Sequence, residues 1–206
     1  MVANNKYILL CGPTGVGKTS LLDGLHEYFG SDMASYVDPF VNNPFIHQAY
    51  ADGSKSFQSQ LFFFKEFIKL HKSISNDEHK LIVQERSIFE SVYIFCKSLY
   101  LSGVFNLDEY NLFEDLLSEV SEKFRVPDLV INLDASASTI LKRIKYRGRD
   151  FEQDLNYNFI ERQRSLYSDF IAKVRINQFS KIETICTESL TKDEALSKGL
   201  PLIGSI

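Results

Sequence analysis

"YILLCGPTGVGKTSLLDGL", Tyr7 to Leu25, decides how this chain folds. It opens as an apolar run of strand length, passes through a glycine-rich loop and continues as an apolar-periodic helix. The loop, Gly12 to Thr19, fits G-x-x-x-x-G-K-[ST] in the strand, loop and helix setting that this pattern needs. Gly12, Gly15 and Gly17 let the backbone turn inward so that successive N–H groups face phosphate oxygens, and the helix N-terminus adds partial positive charge. Lys18 is placed to reach the outer phosphates and Thr19 to ligate Mg²⁺. Bound ATP is the expected partner, but such a loop serves kinases, switches, motors and pumps alike.

Outward from this loop, short apolar runs alternate with longer helical stretches, which is the pattern of an α/β fold. Strands are expected at Tyr7 to Cys11, Ala34 to Val37, Leu81 to Gln84, Leu129 to Leu133 and Thr184 to Cys186. These short, largely apolar runs fit a five-stranded parallel sheet flanked by helices on both faces. Helices are expected at Lys18 to Phe29, Ser56 to Ser73, Ile88 to Leu101, Leu107 to Phe124, Ser136 to Arg147 and Asp154 to Gln178. Shorter ones fall at Pro44 to Tyr50 and Lys192 to Ser197. Functional residues of such sheets gather at the carboxyl ends of the strands.

The chain has 206 residues, 44% of them apolar, enough for one buried core, so residues 1–206 read as a single domain. A net charge of -4 and a pI near 5.6 argue against nucleic acid or an anionic membrane as partner, since both reward a basic surface. Cys11, Cys96 and Cys186 form an odd set without metal-ligand spacing, which speaks for a reducing compartment. With no apolar run long enough for a signal core or a membrane span, a cytoplasmic protein is expected.

Three further features carry chemistry. Glu85 and Arg86 leave the third strand beside the phosphate loop, where the carboxylate suits Mg²⁺ and the planar guanidinium suits phosphoryl or substrate oxygens. "LKRIKYRGR", Leu141 to Arg149, packs five cations into nine residues before the sequence turns acidic. Arg143 and Arg147 lie near the Ile140–Ile144 stripe of an amphipathic helix and can lean over the site, whereas Lys142 and Lys145 point away. Arg149 follows Gly148 in a turn. Arginines on a segment that closes, about residues 147–153, suit phosphoryl transfer, where neutralising charge on the transferred group supplies most of the rate. Finally, Gln60 shares a helical stripe with Phe57, Phe63, Phe64 and Phe67. An amide on an apolar face needs a partner, and a nucleobase edge offers both a donor and an acceptor.

Taken in order, "GPTGVGKT", "DPFVNNPF", "FQSQLFFF", "QERSIFES" and "PDLVINLD…LKRIKYRGRDFEQD" resemble the deoxynucleoside kinases, especially their bacterial deoxyadenosine and deoxyguanosine kinase branch, over about residues 7 to 170. The resemblance implies a P-loop kinase fold with an arginine-bearing lid, and ATP-dependent phosphorylation of a deoxynucleoside 5′-hydroxyl. It implies that Asp38 is the catalytic base, at a position where the family usually has Glu. Asp is one methylene shorter, so either the backbone sits closer or a water intervenes, and Glu85 is a rival base. Arg86 matches the arginine at the reacting oxygen, and Arg143, Arg147 and Arg149 match the lid arginines. Glu152 and Tyr50 match the pair that holds the sugar 3′-hydroxyl, and Gln60 matches the base-reading glutamine, with Phe64 among the pocket-facing phenylalanines. Phe67 and Ser91 stand where many relatives carry Arg and Asp, and thymidine-accepting relatives are similar in lacking that pair, which leans toward a pyrimidine. Relatives pair through helices, so a homodimer is implied as well.

Two other activities would use a P-loop. A nucleoside monophosphate kinase such as thymidylate kinase shares the acidic-Arg motif and the arginine lid, but its acceptor is already ionised. It needs no base and demands extra cations, and "DPFVNNPF" favours the nucleoside. A GTP-dependent switch would need [NT]-K-x-D, and "TKDE" from Thr191 ends in Glu.

Overall fold

The computed structural model of the chain describes residues 5–177 and 181–206. Five strands, β1 (Lys6–Cys11), β2 (Met33–Tyr36), β3 (Leu81–Glu85), β4 (Leu129–Asp134) and β5 (Lys181–Cys186), form one sheet in the order β2-β3-β1-β4-β5. All four pairings are parallel. Parallel neighbours put their carboxyl ends on one edge: Leu10 pairs with Glu85, Cys11 with Asn132 and Tyr36 with Gln84. The chain leaves β1 toward β2 on one side and returns to β4 on the other, so the loop after β1 sits where strand order reverses, the place where ligands enter such sheets.

Nine helices cross between and beside the strands among the described residues: α1 (Lys18–Phe29), α2 (Ile46–Ala51), α3 (Ser56–Ser75), α4 (Ile88–Glu90), α5 (Lys97–Leu101), α6 (Leu107–Ser121), α7 (Ala137–Arg147), α8 (Tyr157–Asn177) and α9 (Lys192–Gly204). One apolar layer joins the sheet to α1, α7 and α9 through Leu10, Leu21, Leu25, Ile131, Ile140 and Ile203. A second, largely aromatic layer joins α3 and α6 through Phe63, Phe64, Phe67 and Phe113. In it His71 stacks on Phe124 at 4.3 Å, and burial pushes its pKa down to about 4.

Several elements differ from the sequence reading: β5 starts at Lys181 rather than Thr184, α6 stops at Ser121 rather than Phe124, and α2 runs Ile46–Ala51 rather than Pro44 to Tyr50. The single helix expected over Ile88 to Leu101 is π-helical from Ser91 to Cys96, between α4 and α5. The last helix, expected to stop at Ser197, runs on to Gly204 through Pro201. Its packing on α1 outweighs the proline: a Cβ on Gly199 would lie 3.4 Å from Leu21, and one on Gly24 3.5 Å from Leu196. The long helix expected from Asp154 starts at Tyr157, and Gln178, its expected end, lies outside the described residues. No described helix is long and apolar enough to cross a membrane.

Candidate active site

The phosphate loop owes its shape to glycine at two tight positions. Gly12 has φ +134°, and a Cβ there would lie 2.3 Å from the Leu133 carbonyl; Gly15 has φ +82°, and a Cβ would lie 2.6 Å from Ile144. The loop therefore lies directly against β4 and α7. The Lys18 ammonium rests on the carbonyls of Gly12 and Pro13 at 2.8 and 3.1 Å, and the Thr19 hydroxyl donates to Glu85 at 2.9 Å. From α8, the buried Gln163 accepts from the Thr14 N–H at 3.1 Å and braces the loop tip.

At the exit of β3, Arg86 has φ +62°, the one non-glycine residue with positive φ among the described residues. A left-handed arginine costs backbone energy and persists only where its surroundings hold it. Its N–H donates to Leu10 O at 3.0 Å, and its carbonyl accepts from Gln84 Nε2 at 2.7 Å. This bend turns the side chain back over the site, where Nη1 pairs with Asp38 Oδ2 at 3.0 Å and the guanidinium stacks on Phe95 at 3.5 Å and on Phe63 at 4.7 Å. Asp38 also accepts from the Phe40 N–H at 3.1 Å, which caps the turn after β2 and fixes its carboxylate. Glu85 is buried, and that burial raises its pKa against the opposing pull of Lys18.

Behind Arg86, Glu90 is fully buried and accepts from Ser87 N–H at 2.8 Å, Ser87 Oγ at 3.1 Å and Tyr167 Oη at 2.9 Å. Burial pushes its pKa from 4.5 up to about 6. A carboxyl raised on folding contributes stability that is complete below the unfolded value and is lost as pH rises through the folded one. Between pH 4.5 and 7.5, Glu90→Gln should therefore gain about 2 kcal/mol of unfolding free energy relative to the parent. Urea unfolding of both proteins at the two pH values checks this, and a constant difference would contradict it.

The lid closes the other side. Gly148, at φ +72°, ends α7, and Asp150–Glu152 forms a 3-10 turn. Glu152 is buried and accepts from Arg147 Nη2 and, at 3.4 Å, from Arg149 Nη1. Phe151 fills an aromatic cup of Phe40, His47 and Tyr50, with ring centroids 6.2, 5.3 and 5.4 Å away, while Arg149 lies 3.9 Å over Phe40. Tyr50 is held as a phenol, its pKa pushed up to about 12 by burial.

Two cavities meet at Tyr50. The outer, about 50 Å³, is lined by Gly15, Lys18, Asp38, Glu85, Arg86 and Arg147, among others. The inner, about 230 Å³, is lined by Gln60, Phe95, Ser98, Leu99 and Phe159, among others. The structure thus brings together the expected Gly15, Gly17, Lys18, Asp38, Tyr50, Glu85, Arg86, Arg147, Arg149 and Glu152 around the outer cavity and Gln60 in the inner one.

Four expected residues lie elsewhere than the sequence suggested. Arg143 does not line the outer cavity; it donates to Val16 O at 3.3 Å, Thr187 Oγ1 at 3.0 Å and Thr187 O at 2.6 Å, tying α7 and the loop after β5 to the phosphate loop. Phe64 packs on Phe113 at 6.1 Å in the helical core and lines neither cavity. Phe67 is fully buried beside Phe63 and Arg86, and Ser91 reaches the site through Gln60 rather than facing a cavity. Sequence reasoning missed Phe151, Glu90, Gln163 and Phe95. The phenylalanine two residues after the lid arginine was a usable signal; the partners of Glu90 and Gln163, up to 149 residues away, gave none.

Comparison with known proteins bears on the same residues. The family model described as deoxynucleoside kinase matches residues 8–198. A deoxyadenosine kinase of Dictyostelium discoideum is 30% identical over 169 residues, 82% of this chain and 67% of that one. A deoxyadenosine/deoxycytidine kinase of Bacillus subtilis is 29% identical over 174 residues, 83% and 79% of the two chains. The solved structure of deoxyadenosine kinase from M. mycoides with bound dCTP superposes with a TM-score of 0.83 at 23% identity, covering 97% of this chain and 100% of that one, and shows the same fold. With the match running through the phosphate loop, the strained arginine and the lid, this chain belongs to the deoxynucleoside kinase family and is a phosphotransferase.

Proposed function

We propose that the protein transfers the γ-phosphoryl group of ATP to the 5′-hydroxyl of a deoxynucleoside. The observation that carries this reading is the shared outer cavity, in which Asp38 and Arg86 lie with the phosphate loop and Lys18, and whose Tyr50 also lines the larger inner cavity. Phosphate, sugar and base fit in that order. Asp38 takes the proton of the 5′-hydroxyl as its oxygen forms a bond to the γ-phosphorus, the bond from that phosphorus to the β-phosphate oxygen breaks, and ADP leaves. Arg86 holds Asp38 in place and meets the reacting oxygens, while Arg147 and Arg149 supply lid charge over the transferred group.

Thr19 and Glu85 fit a hard cation: the hydroxyl and the carboxylate are 2.9 Å apart, and no cluster of three or more His, Cys, Asp or Glu competes among the described residues. Mg²⁺ characteristically takes one or two such protein ligands with phosphates and water, and when bound it neutralises charge on the outer phosphates. Glu85 would hold that cation, and Asp38, paired with Arg86 in the same cavity, would serve as the base. Tyr50 and Glu152 border the sugar position.

A monophosphate acceptor fits less well, because its attacking oxygen is already ionised and would meet the Asp38 carboxylate, which lines the outer cavity where that phosphate would sit. The lean toward a pyrimidine rests on the missing charges at Phe67 and Ser91 alone; relatives of this chain bear purine names. ADP release from Mg-ATP, measured with each of the four deoxynucleosides and with their four monophosphates, tests the reading. Turnover with nucleosides and none with monophosphates is expected; the reverse would overturn it.

A further inference from the structure

We infer that Gln163 is a positioning residue for ATP, which fixes from α8 the peptide of the phosphate loop on which Lys18 rests. This deepens the phosphoryl-transfer reading above, on which it rests insofar as that loop receives the ATP consumed, and it concerns a side chain that lines neither of the two cavities. The orientation of its amide is unambiguous. A backbone N–H only donates, so the atom that meets the Thr14 N–H at 3.1 Å is the carbonyl oxygen Oε1. The other end, Nε2, is buried and makes no hydrogen bond among the described residues. A buried amino group without a partner costs more than one neutral hydrogen bond returns, so stability alone does not account for a glutamine here.

The fold does not need Gln163 to seat α8. Ile160 is fully buried in the core, Arg164 Nε and Nη2 donate to the two carboxylate oxygens of Asp134, both at 3.0 Å, and Tyr167 Oη donates to Glu90 at 2.9 Å. These contacts tie the helix to the end of β4 and to α4 on either side of Gln163.

What Gln163 fixes is one peptide plane. The Pro13–Thr14 unit is planar, with its N–H and C=O pointing in opposite directions, so holding the N–H toward α8 holds the Pro13 carbonyl the other way. There the carbonyl accepts from Lys18 Nζ at 3.1 Å and from the Val16 N–H at 3.2 Å. Little else near this peptide can hold it, because Pro13 has no N–H and Gly12 and Gly15 flank it with the freest backbones in the loop. Without the Gln163 acceptor the peptide can turn and Lys18 loses an oriented partner. ATP must then order both as it binds, which weakens binding and spares the chemical step.

Equilibrium binding of Mg-ATP, measured by calorimetry without nucleoside, tests the assignment on Gln163→Met and Gln163→Leu, which keep the bulk and remove the acceptor. Kd is expected to rise about 3- to 15-fold while kcat at saturating ATP stays within about threefold. The thermal midpoint should hold or rise by about 2 to 4 °C as the unpartnered amide disappears. Affinity and stability thus part company, which loss of a packing residue would not produce. Tyr167→Phe, which removes a hydrogen bond of α8 that does not reach the loop, should leave Kd within about twofold. An unchanged Kd in a folded variant, a midpoint that falls together with affinity, failure of both variants to fold, or an equal loss in Tyr167→Phe would overturn the inference. Absence of turnover with every nucleoside would instead reject the phosphoryl-transfer reading and leave the comparison of Kd values standing.

Discussion

Asp38→Ala is expected to lower kcat about 10²- to 10⁴-fold, the range that a positioned general base contributes, while KM for ATP stays close to its parent value. The separation follows from the geometry. Asp38 binds Arg86 Nη1 and caps the Phe40 N–H, and makes no hydrogen bond to the phosphate loop. Lys18 and the loop glycines hold the triphosphate without it. Asp38→Asn should lose rate as well, because the amide takes no proton and, with Oδ1 accepting from Phe40, sets its N–H against Arg86 Nη1. Asp38→Glu, which keeps an acceptor for Arg86 and can take the proton, should recover part of the rate. Steady-state kinetics of the Ala and Asn variants, with ATP and nucleoside varied in turn, would remove Asp38 from proton transfer if kcat matched the parent.

Arg147→Ala combined with Arg149→Ala should cost about 10³- to 10⁵-fold in kcat, since arginines that neutralise the transferred group contribute on that scale. The two act as a unit. Both pair with Glu152, which is 2% exposed, so either one alone still neutralises that carboxylate, and the single variants should lose less than the product of their effects implies. Removing both leaves a buried carboxylate without a partner and destabilises the lid itself. Adding Glu152→Gln to the double variant separates the two causes: lid stability should recover, and kcat should not. Recovery of kcat would mean that the arginines only support Glu152. Arg143→Ala should behave differently, because its partners are Val16 and Thr187; loosened ATP binding with a smaller change in kcat is the expected split.

The fold was legible because its signals are local. Each strand of a sheet covered on both faces reads as an apolar run, and the phosphate loop fixes where β1 ends and α1 begins. The ends of α1 and α7 were readable to within a residue from Gly30 and Gly148, which suit the turns that follow. What could not be read depends on partners distant in sequence. The π-helical stretch "SVYIFC" has the composition of an ordinary buried helix, and its contact with Gln60, 31 residues earlier, leaves no mark in the local sequence. Arg143 looks like its neighbour Arg147 on a helical wheel, yet Thr187, 44 residues on, claims it. The stripe on α3 was read correctly as one face, but Phe57 and Phe64 fall to one side of Gln60 and pack on Phe113, whereas Phe63 and Phe67 fall to the other and meet Arg86. A single wheel does not say which flank meets a neighbouring helix and which meets a site.

The measurement that bears most directly on the account is ³¹P NMR of the products formed from Mg-ATP and a deoxynucleoside. The arrangement of Asp38 and Arg86 between the phosphate loop and Tyr50 predicts one deoxynucleoside 5′-monophosphate for each ADP, and no free phosphate in excess. Phosphate released without a 5′-monophosphate, or a phosphoryl group on the 3′-oxygen, would contradict it.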